Sequence, residues 1–250
     1  GASSNGTGVS VSGSVVTITK EGSYLISGTL DDGQIVVDAD KTDSVQLILD
    51  GASISCSNSS AILVRQADKV KVTLASGSQN SLSDAETYLS GDEDNPDAAL
   101  FSKDDLIING DGQLNITGNY KHGIAGNDDL VITGGTFEIT SKSHALRGKD
   151  SVVISSGNFT LTSEKDGIQA SNTEDSTKGW VQIDGGDFLI VSDGDGIQAE
   201  TDLVINDGNF TITSGGGSEN GPEHTSNMMG GRGMGGAMSR PDMSQTDMTR

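Results

Sequence analysis

Glu164 and Asp166 stand two residues apart, and Asp193 and Asp195 repeat that spacing beside a second copy of the pentapeptide DGIQA, found at 166–170 and 195–199. Residues two apart in one extended strand share a face, and equivalent residues of stacked strands lie about 4.8 Å apart, so the four carboxylates would form a square. Two like charges at that separation repel by roughly 3.5 kcal/mol at an effective dielectric of about 20. Calcium relieves such repulsion, because it takes hard oxygen ligands at about 2.3–2.6 Å and one ion can bridge neighbouring carboxylates. The pattern predicts a calcium site at Glu164, Asp166, Asp193 and Asp195, with Gln169 or Gln198 as neighbours. The plainer account, a solvated acidic face with screened repulsion, stands beside it.

A second set of columns, Asp104, Asp128 and Asp150, flanked by Asp105, Asp129 and Asp202, falls at the turns entering each repeat. Aspartate side chains cap turn amides, so turn stabilisation leads there, with a further cation as the alternative. His144 and His122 occupy the position of Asp166 one and two repeats earlier, and Lys142 that of Glu164. A hydrogen-bonding or ion-pair ladder accounts for them. In the sharper reading, Lys142 or Lys165 is a Brønsted base beside a metal. Trp180, Tyr120 and Tyr88 adjoin loops or sheet edges, where an exposed ring can stack on a sugar face.

The elements that would hold these residues follow from internal repetition. Five segments superpose: LIINGDGQLNIT (106–117), LVITGGTFEIT (130–140), VVISSGNFTLT (152–162), VQIDGGDFLIV (181–191) and LVINDGNFTIT (203–213). Each is a short strand, a glycine turn and a second short strand, and a third short element lies between them at 122–126, 144–148, 166–170 and 195–199. Ile124, Leu146, Ile168 and Ile197 are separated by 22, 22 and 29 residues, the last interval carrying a loop insertion at 171–179. Apolar and polar residues alternate within the strands, so one face of each points inward, and a coil that cannot bury its own face must stack on its neighbour. These features predict an all-β, right-handed parallel β-helix with three short strands per coil of about 22 residues. Phe137, Phe159, Phe188 and Phe210 then form one internal column, continued by Leu114. The domain is expected over 1–217, with an acidic excursion loop at 83–98, and residues 218–250, Gly-rich and holding all six methionines, read as a flexible tail or linker.

Composition narrows the partners. The chain carries 36 acidic residues against 15 lysines and arginines, a formal charge of −21, and residues 221–250 are balanced, so the excess lies in the repeat region. Such a surface disfavours nucleic acid and anionic lipid and favours cations, basic surfaces or neutral polymers. No run of 18 apolar residues exists, so no membrane insertion is expected. The single Cys56 cannot form an internal disulfide and reads as a small buried hydrophobe.

The opening GSYLISGTLDDGQIVVDA, the run VQLILDGASI followed by ADKVKVTLASGSQNSL, the restart ALFSKDDLIINGDGQLNI and the repeated DGIQA together resemble the carbohydrate-binding domain of clostridial surface proteins, over about residues 9–214. The resemblance implies a polysaccharide-lyase-like β-helix, export to the exterior or the cell surface, calcium binding, and affinity for cellulose or for acidic glycans such as polygalacturonate. The DGI aspartates map onto Asp166 and Asp195, with His122 and His144 in the equivalent earlier positions. Three functions remain: a non-catalytic binding module for plant-wall polysaccharide, a calcium-dependent lyase of the pectate-lyase type, or a structural stalk.

Overall fold

The computed structural model describes residues 2–89 and 94–215. The whole segment 218–250 expected as a tail, and part of the excursion loop, lie outside the described residues. Among the described residues there are 23 strands and no helix, so no helix is long and apolar enough to cross a membrane. The strands form a nine-stranded and a fourteen-stranded sheet. The pairing is parallel except where Val9–Ser12 runs antiparallel against Val15–Ile18 at one edge. The protein is therefore all-β and mostly parallel, an arrangement compatible with the expected β-helix.

The register follows the repeat. In the nine-stranded sheet Ile124 pairs with Leu146, Leu146 with Ile168, and Ile168 with Ile197. The fourteen-stranded sheet has two legs, which meet at the twelve-residue strand Ser44–Ser55; that strand pairs with both Lys69–Leu74 and Gln79–Ser83. One leg stacks Asp105–Gly110, Asp129–Ile132, Ser151–Ile154, Trp180–Ile183 and Leu203–Ile205. The other stacks Gln113–Gly118, Thr136–Ser141, Asn158–Ser163, Asp187–Ser192 and Asn209–Ser214.

Period-2 patterning decides which side chains go inward. In Asn158–Ser163 the burial alternates strictly, placing Phe159 and Leu161 inside and Thr160 and Thr162 outside. The phenylalanines stack as the sequence predicts, with ring centroids 5.0, 4.7 and 4.7 Å apart and planes within 4° of parallel. Leu114 continues the column through its register with Phe137. Each buried ring contributes roughly 1.5–3 kcal/mol, and the stack repeats that contribution at every rung. The turn before each ring needs glycine: Gly157 has φ 136°, and a Cβ there would lie 2.9 Å from the Phe159 ring and 3.0 Å from the Gly135 carbonyl oxygen.

One expectation needs correction. Glu164 and Asp166 do not share a strand; they lie in the bend between Asn158–Ser163 and Ile168–Ala170, where the chain turns from one sheet to the other. Ser163 fixes that bend, its hydroxyl donating to the Lys165 carbonyl at 3.0 Å. The excursion after Gln79–Ser83 is tied down at one end, since the Leu89 amide donates to the Asn58 carbonyl at 3.0 Å and the Tyr88 hydroxyl lies 2.9 Å from the Ala98 carbonyl oxygen.

Candidate functional site

The column His122, His144, Asp166 and Asp195 runs along the entry to the last four strands of the nine-stranded sheet, His122 opening the strand His122–Gly126 and the other three lying in the bends before theirs. The flanking registers Ser163 with Ser192 and Ile168 with Ile197 preserve the 29-residue offset that sets Asp195 over Asp166 and Asp193 over Glu164. Each side chain in the column accepts the backbone N–H of its successor. His122 Nδ1 accepts from His144 at 3.3 Å, His144 Nδ1 from Asp166 at 3.2 Å, and Asp166 Oδ1 from Asp195 at 2.8 Å. Imidazole and carboxylate thus do the same work, satisfying an amide that the bend would otherwise leave without a partner. The two imidazoles stack with centroids 5.0 Å apart.

This role requires neutral histidines. Burial pushes His122 below its ordinary value, against the hydrogen bond and charge of Asp97. Burial and the adjacent His122 push His144 down to about 4, against the pull of Asp166. His144 Nδ1 also lies 3.2 Å from Asp166 Oδ2. One nitrogen cannot accept the Asp166 amide and donate to its carboxylate at once, so neutral His144 holds the backbone and protonated His144 would hold the acid.

The four predicted carboxylates divide. Glu164 pairs with Lys142 at 2.5 Å on an exposed surface. Asp166 is engaged through both oxygens, Oδ2 accepting from Gln169 Nε2 at 3.0 Å. Gln169 Nε2 also donates to Gln198 Oε1 at 2.6 Å. The carboxylates of Asp193 and Asp195 have no hydrogen-bond or ion-pair partner among the described residues. Among the described residues, no three His, Cys, Asp or Glu side chains sit close enough to hold a metal ion as placed. The donor set fits a hard cation in its chemistry, through Asp166, Asp193 and Asp195, while Glu164 is committed to a lysine.

Lys142 is raised from its ordinary value by the hydrogen bond and charge of Glu164, the reverse of what a proton-abstracting base needs. The Lys165 ammonium has no carboxylate within 4.0 Å among the described residues.

The second set of aspartates has mixed partners. Asp104 accepts the Ala67 amide at 2.9 Å and Asp129 the Ser151 hydroxyl at 2.6 Å. Asp150 holds Asn172 and Lys178, each at 2.6 Å. Burial, then the charges of Asp150, Asp105 and Asp104, push Asp128 above the usual carboxylate range. Asn172, missed in the sequence, ties the insertion loop to this column: its carbonyl oxygen accepts the amides of Glu174 and Asp175 at 2.9 and 3.0 Å.

The aromatic candidates occupy two places. Tyr88 and Tyr120 stack on each other at 4.4 Å, with Lys121 Nζ 5.2 Å from the Tyr120 ring centre. The Tyr88 hydroxyl donates to Asp84 at 2.6 Å, and its phenol is pushed far above its ordinary value by burial and by the Asp84 charge. Trp180 opens the strand Trp180–Ile183 of the fourteen-stranded sheet, in register with Ser151.

A repetitive parallel sheet stack with an acidic bend column and a pair of half-buried stacked rings defines an all-β scaffold, and sequence comparison places it. Residues 12–241 match the family described as carbohydrate-binding domain-containing protein, and the chain belongs to that family. A curated relative of that description from Acetivibrio thermocellus is 46% identical over 134 residues, which are 53% of this chain and 47% of the relative, so the match spans about half the relative's length. A solved structure described as the polysaccharide lyase-like protein from C. thermocellum, gadolinium derivative, superposes with a TM-score of 0.78 at 38% identity. That match covers 86% of this chain and 88% of the other, so the protein shares the polysaccharide lyase-like fold.

Proposed function

We propose that this protein is a right-handed parallel β-helix with three strands per coil, acting outside the cell or at its surface as a non-catalytic, calcium-dependent module for plant cell-wall polysaccharide, cellulose or polygalacturonate. The family match over residues 12–241 carries the carbohydrate-binding part of this reading. Calcium would be held by Asp166, Asp193 and Asp195 after the two unpartnered side chains turn toward Asp166, with Glu164 joining only if it releases Lys142. Once bound, the ion would supply positive charge, bridging an acidic protein to an acidic glycan.

The related structure's polysaccharide lyase-like description motivates a second reading, β-elimination. A base would remove the proton beside the uronate carboxylate while the bond to the leaving sugar oxygen breaks, giving an unsaturated product. Lys142, paired and raised, is poorly suited to this, which leaves Lys165. The test incubates the protein with polygalacturonate and excess calcium at alkaline pH, following the ultraviolet absorbance of unsaturated uronate alongside pull-down. Pull-down without a rise is expected. A rise abolished by Lys142→Ala or Lys165→Ala establishes the lyase, and the absence of both signals favours the structural stalk.

A further inference from the structure

The bend column is not the only repeated feature that faces solvent. Along the leg of Asn158–Ser163, Asp187–Ser192 and Asn209–Ser214 and the glycine turns that precede these strands, a shallow groove of about 520 Å³ runs across three coils, beside a second of about 270 Å³ that shares Asn158, Asp187, Gly208 and Asn209 with it. The two form one trough along the stacking axis.

Three repeated layers build this trough. Gly157, Gly186 and Gly208, at φ 136°, 122° and 131°, leave bare backbone because the phenylalanine ring edges, 2.9–3.1 Å from where a Cβ would lie, allow no side chain. Asn158, Asp187 and Asn209 stack in register as a polar rail. Asn209 Nδ2 donates to Asp187 Oδ1 at 2.8 Å, and the Asn158 side-chain amide has no partner among the described residues. The outer wall is Thr160, Leu189 and Thr211, again in register, with Leu189 47% exposed on a strand whose next outward side chain, Val191, is 45% exposed.

Hydroxyls, amides and one carboxylate on one side, with an aliphatic patch on the other, match the equatorial hydroxyls and C–H faces of a sugar ring. The coil-to-coil spacing, 4.7 Å between successive phenylalanine rings, is close to the length of one sugar residue in an extended chain. The charge selects the type of glycan. The lining contains no lysine, arginine or histidine, and its charged groups are Asp187 and Asp207, which repel a uronate and leave a neutral polymer unaffected.

We propose that this trough binds a neutral, extended β-linked glycan lying along the stacking axis, with one sugar residue per coil. The proposal rests on the carbohydrate-binding reading and adds a place and a substrate class that the acidic bend column does not supply.

The test uses the full chain and two probes, amorphous cellulose with cellohexaose for the trough, and polygalacturonate with calcium for the bend column. Leu189→Glu and Asn209→Ala, both at the surface, should each weaken cellohexaose binding by calorimetry about tenfold or more by burying an unpaired charge or removing a hydrogen bond. Their melting temperatures and polygalacturonate binding should stay at the wild-type value. Thr117→Glu, on the same face but outside the trough, should change neither. Wild-type affinity for cellohexaose in Leu189→Glu overturns the trough and leaves the carbohydrate-binding reading standing, as does a wild type that binds polygalacturonate alone. A wild type that binds neither glycan overturns both. A change of oligomeric state in Leu189→Glu by light scattering, with glycan binding intact, would make the trough a protein interface and overturns the proposal.

Discussion

Trp180–Ile183 and Leu203–Ile205 are consecutive rungs of one leg, in register and nearly identical in character, yet Val181 and Ile183 are fully buried while Leu203 and Ile205 are each 46% exposed. Ile190 and Ile212 show the same contrast on the other leg, 0% against 42%. A coil is therefore buried by the next coil and hardly at all by itself, so stability is a sum of nearest-neighbour terms. The bend column obeys the same logic. Asp166 spends an oxygen holding the Asp195 amide, whereas Asp195 holds no amide among the described residues. The inner aspartate is a bracket first, and the outer one is left with its oxygens available, which is why the calcium reading leans on the later coils.

The largest effect that sharpens this contrast is in the phenylalanine column. Phe159→Ala should destabilise by about 3–5 kcal/mol, as large buried aromatics do, and Phe210→Ala by about 1–2 kcal/mol because its ring is only half-buried. Denaturant unfolding of both variants checks this, and equal losses would break the nearest-neighbour account.

Next comes the bracket. Asp166→Ala removes a charge-assisted hydrogen bond to the Asp195 amide and should cost about 1.5–3 kcal/mol, while Asp195→Ala in EGTA should cost less than about 0.5 kcal/mol. Asp166→Asn keeps an acceptor and should recover most of the loss. If Asp195→Ala proves as damaging as Asp166→Ala without calcium, the two coils are not different in kind.

The gentlest effect is on acid stability. His144 is held near pKa 4 in the fold, below the 6.5 of an unfolded chain, and His122 is shifted in the same direction. Between those values the unfolded chain binds more protons, so stability is full above pH about 6.5 and falls as pH drops toward about 4. His144→Asn, which keeps an acceptor for the Asp166 amide, should flatten that slope in a melting-temperature series.

The sequence made the rungs legible because register is arithmetic: a 22-residue interval and a seven-residue insertion fix which residues stack, and the phenylalanine column follows. It did not reveal that Glu164 and Asp166 sit in a bend, because a serine continuing the period-2 pattern gives no sign that its hydroxyl will cap the Lys165 carbonyl. Nor did it show that histidine and aspartate share a duty there, since the common feature is an acceptor atom at the same reach from the backbone. The trough was hidden because Asn158, Asp187 and Asn209 read as ordinary strand residues until the glycine floor beside them is seen.

The most direct measurement for the central claim is a pair of calorimetric isotherms of polygalacturonate binding, one in calcium and one in EGTA, for wild type and for the Asp193→Ala, Asp195→Ala double variant. The account predicts binding in calcium that is lost in EGTA and lost in the double variant, with no unsaturated uronate released. Binding that persists unchanged in EGTA, or in the double variant with calcium, would contradict it.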